Sequence, residues 1–210
     1  MFDRNYEFDV NNYCEEITDK IIEYLESRSC DFSFDYEAGI FEFYQELMNQ
    51  AKFFKCIVEV YSHDYIIYGV LPFKPNVEDS DLMKRLAEFI CRLNENIGMG
   101  TLLLSMDSGD IRYKNFVDCS DIIPSEQMIY NSFYVPNTIL ESFAGGIAAI
   151  VNGATIQEAE AILKIDRERQ NFVEEGGDPV KLNSILEDME KMSTEELMDA
   201  IFEPDDDSKE

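Results

Sequence analysis

Three times within residues 32–116, a run of alternating apolar or aromatic side chains meets a short polar turn and resumes beyond it. In FSFDYEAGIFEF (32–43), Phe32, Phe34 and Tyr36 precede Glu37-Ala38-Gly39, and Ile40, Phe41 and Phe43 follow. KCIVEVY (55–61) and YIIYGVLP (65–72) flank Ser62-His63-Asp64, and LLLSMDSGDIRYKNF (102–116) bends at Asp107-Ser108-Gly109-Asp110. A period of two sends successive side chains to opposite faces, and a turn of a few residues joins only antiparallel neighbours. The pattern therefore predicts an antiparallel sheet built from hairpins.

Between and after these runs the period changes to that of a helix. Tyr13, Ile17, Ile21 and Leu25 step by four within 12–28, and Leu82, Leu86, Phe89/Ile90, Leu93 and Ile97 form one stripe within 75–98. After Pro124, Ser125 is an N-cap candidate for a segment carrying Met128, Ile129, Phe133 and Tyr134. Pro136 is expected to kink or divide that helix before it resumes from Asn137 to Val151. Beyond Gly153, Thr155-Ile156-Gln157-Glu158 has the spacing of a capping box opening a helix to about residue 175, where Gly176-Gly177 stops it. Asp178-Pro179 starts a further short helix with Ile185, Leu186, Met189 and Met192 on one face, and Ser193 to Glu196 repeats the capping box before Leu197, Met198, Ile201 and Phe202. The expected architecture is α+β: residues 1–153 as a sheet flanked by helices, 154–203 as an acidic helical extension, and 204–210 as a disordered tail.

Charge narrows the partners. With 44 acidic against 17 basic residues the net charge is -27, a field that repels phosphate backbones and anionic lipid surfaces, so neither nucleic acid nor membrane is an expected partner. A hydrophobic share of 45% with 15 Phe and 11 Tyr is too rich for a disordered chain, which puts the acids on the surface of a folded body. The opening MFDRNYEFDV lacks the basic-then-apolar order of a secretory signal, and the longest apolar run, Phe143 to Val151, falls short of the ~20 residues that span a bilayer. A cytoplasmic protein is expected. Cys14, Cys30, Cys56, Cys91 and Cys119 are an odd, widely spaced five without a C-x-x-C pair, which reads as reduced thiols and as neither a disulfide framework nor a zinc site.

The inventory for chemistry is thin. Asp107 and Asp110 around Gly109 read as the tip of a hairpin. With Ser108-Gly109 as a two-residue loop, Met106 would face Ile111, Leu104 Tyr113 and Leu102 Asn115, while Ser105 would face Arg112 and Leu103 Lys114. A calcium loop would need further oxygen ligands where Ile111, Arg112 and Tyr113 stand. His63 is the only histidine and sits in a tight turn, and Gly98-Met99-Gly100 follows a helix instead of opening one, the reverse of a dinucleotide fingerprint. The small residues of Phe143-Ala144-Gly145-Gly146-Ile147-Ala148-Ala149 suit close packing against a sheet or helix, or a dimer contact. No catalytic, cofactor-binding or metal-ligating residue is assigned, and no cofactor is expected. Met189, Met192, Leu197, Met198, Ile201 and Phe202 are the candidate protein-interaction residues, because short acidic amphipathic segments must bury their apolar faces on their own domain, in a partner's groove, or in their own groove until a partner displaces them.

The phrases "YIIYGVLPFKP", "FICRLNENIGMGTLLLSMDSGDIRYKN" and, more weakly, "MIYNSFYVPNTILESFAGGIAAIVNG" resemble the YbjN-like family, small bacterial domains with a fold similar to that of type III secretion chaperones. The likeness covers roughly residues 30–153. It implies an antiparallel sheet flanked by helices, a tendency to dimerise, and a protein-binding or regulatory role without established catalytic residues. The expectation is a non-enzymatic, chaperone-like module for another protein or peptide segment, working as a homodimer. A carboxylate- and divalent-cation-dependent enzyme and a structural self-assembly protein are the alternatives.

Overall fold

The computed structural model describes residues 13–174. In chain order the elements are α1 (Glu15–Ser27), β1 (Phe32–Asp35), β2 (Ile40–Glu46), β3 (Phe53–Val60), β4 (Asp64–Val70), α2 (Ser80–Asn94), β5 (Thr101–Leu104), β6 (Ile111–Asp118), α3 (Glu126–Val151) and α4 (Ile156–Glu174). The strands form one antiparallel sheet of order β1-β2-β3-β4-β6-β5, so the fold is α+β with a helix at the C-terminal end of the described residues. Phe41, Phe54, Val58, Ile67, Ile111 and Tyr113 point to one face and are buried, and α1, α2 and α3 supply Ile21, Leu86 and Leu140 to the same core. Each such apolar side chain removed from water contributes about 1.5–3 kcal/mol.

Two of the four hairpins share one loop design that the alternation does not reveal. In β1–β2 the register pairs Asp35 with Ile40, leaving Tyr36 to Gly39 as a four-residue loop; in β5–β6, Leu104 pairs with Ile111 and Ser105 with Asp110, leaving Met106 to Gly109. Gly39 donates to Asp35 O at 2.8 Å and Gly109 to Ser105 O at 2.9 Å, both glycines at positive φ (68° and 72°). The side chain of the paired residue just before each loop accepts from the amide three residues on: Ala38 N to Asp35 Oδ1 at 3.1 Å, and Ser108 N to Ser105 Oγ at 3.2 Å. Glycine reaches this left-handed conformation without a Cβ penalty. The expected two-residue loop at Ser108-Gly109 is thus corrected to four residues, and the register moves by two: Leu102 faces Tyr113 and Leu103 faces Arg112. An even shift keeps every side chain on its expected face. Only the β3–β4 turn, Ser62-His63, is a two-residue loop, closed by Tyr61 N donating to Asp64 O at 2.9 Å.

The helices follow their stripes. Ser125 caps α3 and Asp79 caps α2 through side-chain oxygens, and Thr155 and Glu158 exchange the reciprocal bonds of a capping box, Thr155 N to Glu158 Oε2 at 2.7 Å and Glu158 N to Thr155 Oγ1 at 3.3 Å. Pro136 does not divide its helix. α3 runs unbroken over 26 residues with Ile129, Phe133, Leu140 and Phe143 buried on both sides of the proline, and that burial offsets the roughly 3 kcal/mol cost of an interior proline. α3 is also long and apolar enough to cross a membrane, with mean hydropathy 1.2, but half of that apolar window is buried within the fold.

The small residues of α3 are used inside the chain. A methyl group on Gly146 would lie 2.7 Å from Leu163 Cδ2 and 3.1 Å from Ala159 O, so the glycine lets α4 seat directly on α3. The face offered above as a possible dimer contact is occupied by α4.

Side-chain amides tie the loops down. Asn49, buried in the β2–β3 turn, donates to Leu140 O and Glu141 O of α3 at 2.9 Å each and accepts from Ala51 N at 2.9 Å. Asn94, at the end of α2, donates to Leu102 O at 3.0 Å and accepts from Leu102 N at 2.8 Å, imitating a neighbouring strand on edge strand β5. An unpaired edge is a template for unwanted pairing, and the amide blunts it. Asn94→Ala is expected to lower the unfolding free energy in a urea titration by about 1–3 kcal/mol and to speed hydrogen exchange at the Leu102 amide.

Candidate functional site

The face of the sheet turned away from the helices is the principal candidate. Cross-strand register arranges it in rows: Tyr44, Lys55, Val70, Arg112, Leu103; then Glu42, Ile57, Tyr68, Lys114, Thr101; then Ile40, Glu59, Ile66, Phe116. Tyr44, Phe53 and Phe116 are 64%, 42% and 47% exposed, and Tyr44 meets Phe53 edge-on with ring centroids 5.8 Å apart. Those are large apolar surfaces in water.

Two cations of this face lie against one aromatic ring. Lys55 pairs with Glu42 at 2.7 Å, and Glu59 accepts from Tyr61 Oη at 2.7 Å. The Arg112 guanidinium lies 5.5 Å and the Lys114 ammonium 5.7 Å from the Tyr68 ring centroid, within cation–π range of one aromatic. Among the described residues neither has a carboxylate within 4.0 Å. Burial pushes the Tyr68 hydroxyl above its ordinary pKa, with the Glu59 charge adding to the rise and Arg112 opposing it.

At one corner of the same face Asp64 stands opposite Asp118. Burial, and then the Asp118 charge, raise the Asp64 pKa, with His63 working against them. His63 itself is exposed at the hairpin tip, where its carbonyl accepts from Cys119 N at 2.8 Å. Among the described residues no three His, Cys, Asp or Glu side chains are grouped so as to hold a metal ion.

A second feature lies between α1 and α3 on the helical side. Tyr24, Arg28, Phe43, Tyr130 and Tyr134 line a groove of ≈ 240 Å³, with Tyr130 and Tyr134 stacked at 5.6 Å and Arg28 5.5 Å from the Tyr24 ring and 5.8 Å from that of Tyr130. Arg28 lies within cation–π range of two rings of this wall.

The sites singled out from sequence fare differently. Asp110 is ion-paired to Lys74 at 2.7 Å and accepts from Ser108 Oγ at 2.6 Å; the Lys74 bond, then the Ser108 bond, hold its carboxyl below the ordinary pKa, while Asp107 is exposed. The stretch is a hairpin end tied to the segment after β4. All five cysteines are free, and burial raises the pKa of Cys56 and pushes the Cys119 thiol up to about 11. Met189, Met192, Leu197, Met198, Ile201, Phe202 and the tail 204–210 lie outside the described residues. The residues that sequence reasoning passed over, Tyr44, Phe53, Arg112 and Phe116, sit at outward positions of strands. The one signal that could have found them is that aromatics stand where a solvated face ordinarily carries polar residues. In comparisons with known proteins, no family model matches this chain and no curated protein matches it.

Proposed function

We propose that this chain is a non-enzymatic protein-binding module, acting as a chaperone-like or regulatory holder of another polypeptide. The observation that carries the reading is the sheet face that no described helix covers, where exposed Tyr44, Phe53 and Phe116 stand on the same side as Arg112 and Lys114. An exposed apolar patch rimmed by polar residues marks an interaction surface, and aromatics with arginine are the residue types enriched there. The resemblance of residues 30–153 to YbjN-like domains supports the same reading, with the homodimer that family favours as its working form. Affinity capture with the full chain from native lysate is expected to retain a defined protein, less of it with Arg112→Glu and Lys114→Glu together, and a changed amount with Met198→Asp and Phe202→Asp together. A capture that returns no reproducible partner, or one indifferent to both double variants, overturns the reading.

A further inference from the structure

We propose that the groove between α1 and α3 is a binding site for a small aromatic monocarboxylate, one ring carrying a carboxylate on a short arm. The proposal goes beyond the protein-binding reading and uses no residue of the uncovered sheet face, so either can fail without the other.

Rings dominate the lining. Leu25, Phe43 and Phe133 are buried and form an apolar floor, where Phe43 and Phe133 meet edge-on with centroids 5.5 Å apart. Tyr24 of α1 lies 5.6 Å from the Phe133 ring, and on α3 Tyr130 stacks with Tyr134. An aromatic occupant gains offset or edge-on contacts with such walls beyond the area it buries. The volume of ≈ 240 Å³ is smaller than the roughly 300–1,000 Å³ of ordinary ligand pockets, which limits the occupant to about one ring.

Arg28, at the C-terminal end of α1, supplies the polar contact. Its guanidinium lies over the Tyr24 and Tyr130 rings. Stacking uses the faces of this planar group and leaves its N–H edge, whose fork matches a carboxylate in bidentate fashion. Among the described residues no carboxylate lies within 4.0 Å of it. The lining itself has no Asp or Glu, in a chain that carries 44.

The acids nearby stand outside the lining. Glu26 is two residues from both Tyr24 and Arg28, which puts it on the other side of α1, and Glu46 lies on the opposite face of β2 from Phe43 and Gln45. Burial raises the pKa of the Tyr24 hydroxyl and of the Cys30 thiol, with the Glu126 charge adding to the first, where Arg28 opposes it, and Asp31 adding to the second. Those two carboxylates are close enough to act on the groove, and like-charge repulsion from them disfavours a second negative charge on the occupant. One carboxylate, paired with one guanidinium, is the charge that fits.

The test is a titration of the isotope-labelled full chain with hydrocinnamate, a phenyl ring on a two-carbon carboxylate arm, read by amide chemical shifts. Saturable shifts centred on Arg28, Cys30, Tyr130 and Tyr134 are expected, with a Kd of order 1 mM for so small a ligand. Arg28→Gln, an exposed substitution, and replacement of the acid by its neutral amide are each expected to weaken binding about tenfold or more. Tyr134→Ala, also at an exposed position, is expected to weaken it about threefold. Phenyl phosphate as its dianion is expected to bind more weakly than hydrocinnamate. No saturable shift at about ten times the expected Kd overturns the proposal, as does an affinity that Arg28→Gln leaves unchanged. Acetate binding as tightly means an adventitious ion only, and tighter binding of phenyl phosphate means a different class of anion; either result overturns it. Groove shifts that follow protein dilution without any acid assign the groove to a second copy. A peptide ending in phenylalanine that binds tenfold tighter or more assigns it to a polypeptide terminus, and both of these outcomes also overturn the proposal.

Discussion

Alanine at Phe54 is expected to remove about 3–5 kcal/mol of unfolding free energy, and alanine at its neighbour Phe53 less than about 1 kcal/mol. The two phenylalanines are adjacent in sequence and identical in chemistry, but they stand on opposite faces of β3. Phe54 is 0% exposed and lies beside Gly69 on β4: a methyl group on that glycine would be 3.2 Å from the Phe54 ring and 2.7 Å from Leu140 Cδ1 of α3. Truncating Phe54 therefore leaves a cavity under α3 whose walls are strands and a helix held by many other contacts, so the site relaxes only in part. Phe53 is 42% exposed and touches Tyr44 on the open face. Its loss removes an edge-on ring contact and little buried area. Since a domain of this size is held by about 5–15 kcal/mol, the Phe54 variant is expected to lose a large fraction of its stability while the Phe53 variant is not. Parallel urea titrations settle the point. Comparable losses at both positions would mean that the face described as open is covered.

Leucine at Gly146 is expected to cost about 3 kcal/mol, at the upper end of what overpacking a well-filled interior usually costs. The first carbon of the new side chain would meet Leu163 Cδ2 at 2.7 Å and the Ala159 carbonyl oxygen at 3.1 Å. Leu163 can turn aside; a backbone oxygen on a helix whose residue 159 is 0% exposed cannot. Relief therefore requires α4 to lift from α3 as a body, exposing Ala159, Ile162 and Leu163. The expected signature is a lowered thermal midpoint together with faster proteolytic cleavage inside α4, and Gly146→Ala should produce a smaller version of both. A stable Gly146→Leu with α4 still protected would remove the close approach of the two helices from the account of this fold.

These two positions also mark how far the sequence is readable. The hairpins, helix stripes and capping box were legible because each depends on residues within one or two turns of one another: a period of two, a period near four, an oxygen three residues before an amide. Even the four-residue loops were available in principle, since Asp35 to Gly39 and Ser105 to Gly109 share an oxygen-bearing first residue and a glycine four positions on. The β5–β6 register was misjudged because an Asp-Ser-Gly-Asp sequence suits a shorter turn equally well, and the choice between them lies in how Ser105 bonds its own loop.

The candidate surface was not legible. Residues 65–68 read Tyr-Ile-Ile-Tyr, apolar on both faces, and residues 53 and 54 are both phenylalanine, so nothing local says which side the helices cover. That depends on the line of α3 across the strands, which Asn49, Asn137 and Gly69 set through contacts some 70–90 residues distant in the chain. Likewise Pro136 reads locally as a break, and the small residues after it as a free face; α3 passes through the first because its apolar residues are buried on either side, and α4 fills the second. The sequence by itself determined that this chain is an acidic α+β protein with hairpin strands and capped amphipathic helices, because those are short-range regularities of the backbone. Only the tertiary structure decided that Tyr44, Phe53, Phe116, Arg112 and Lys114 share one face that no described helix covers, because cross-strand register and helix placement join residues that no local pattern connects.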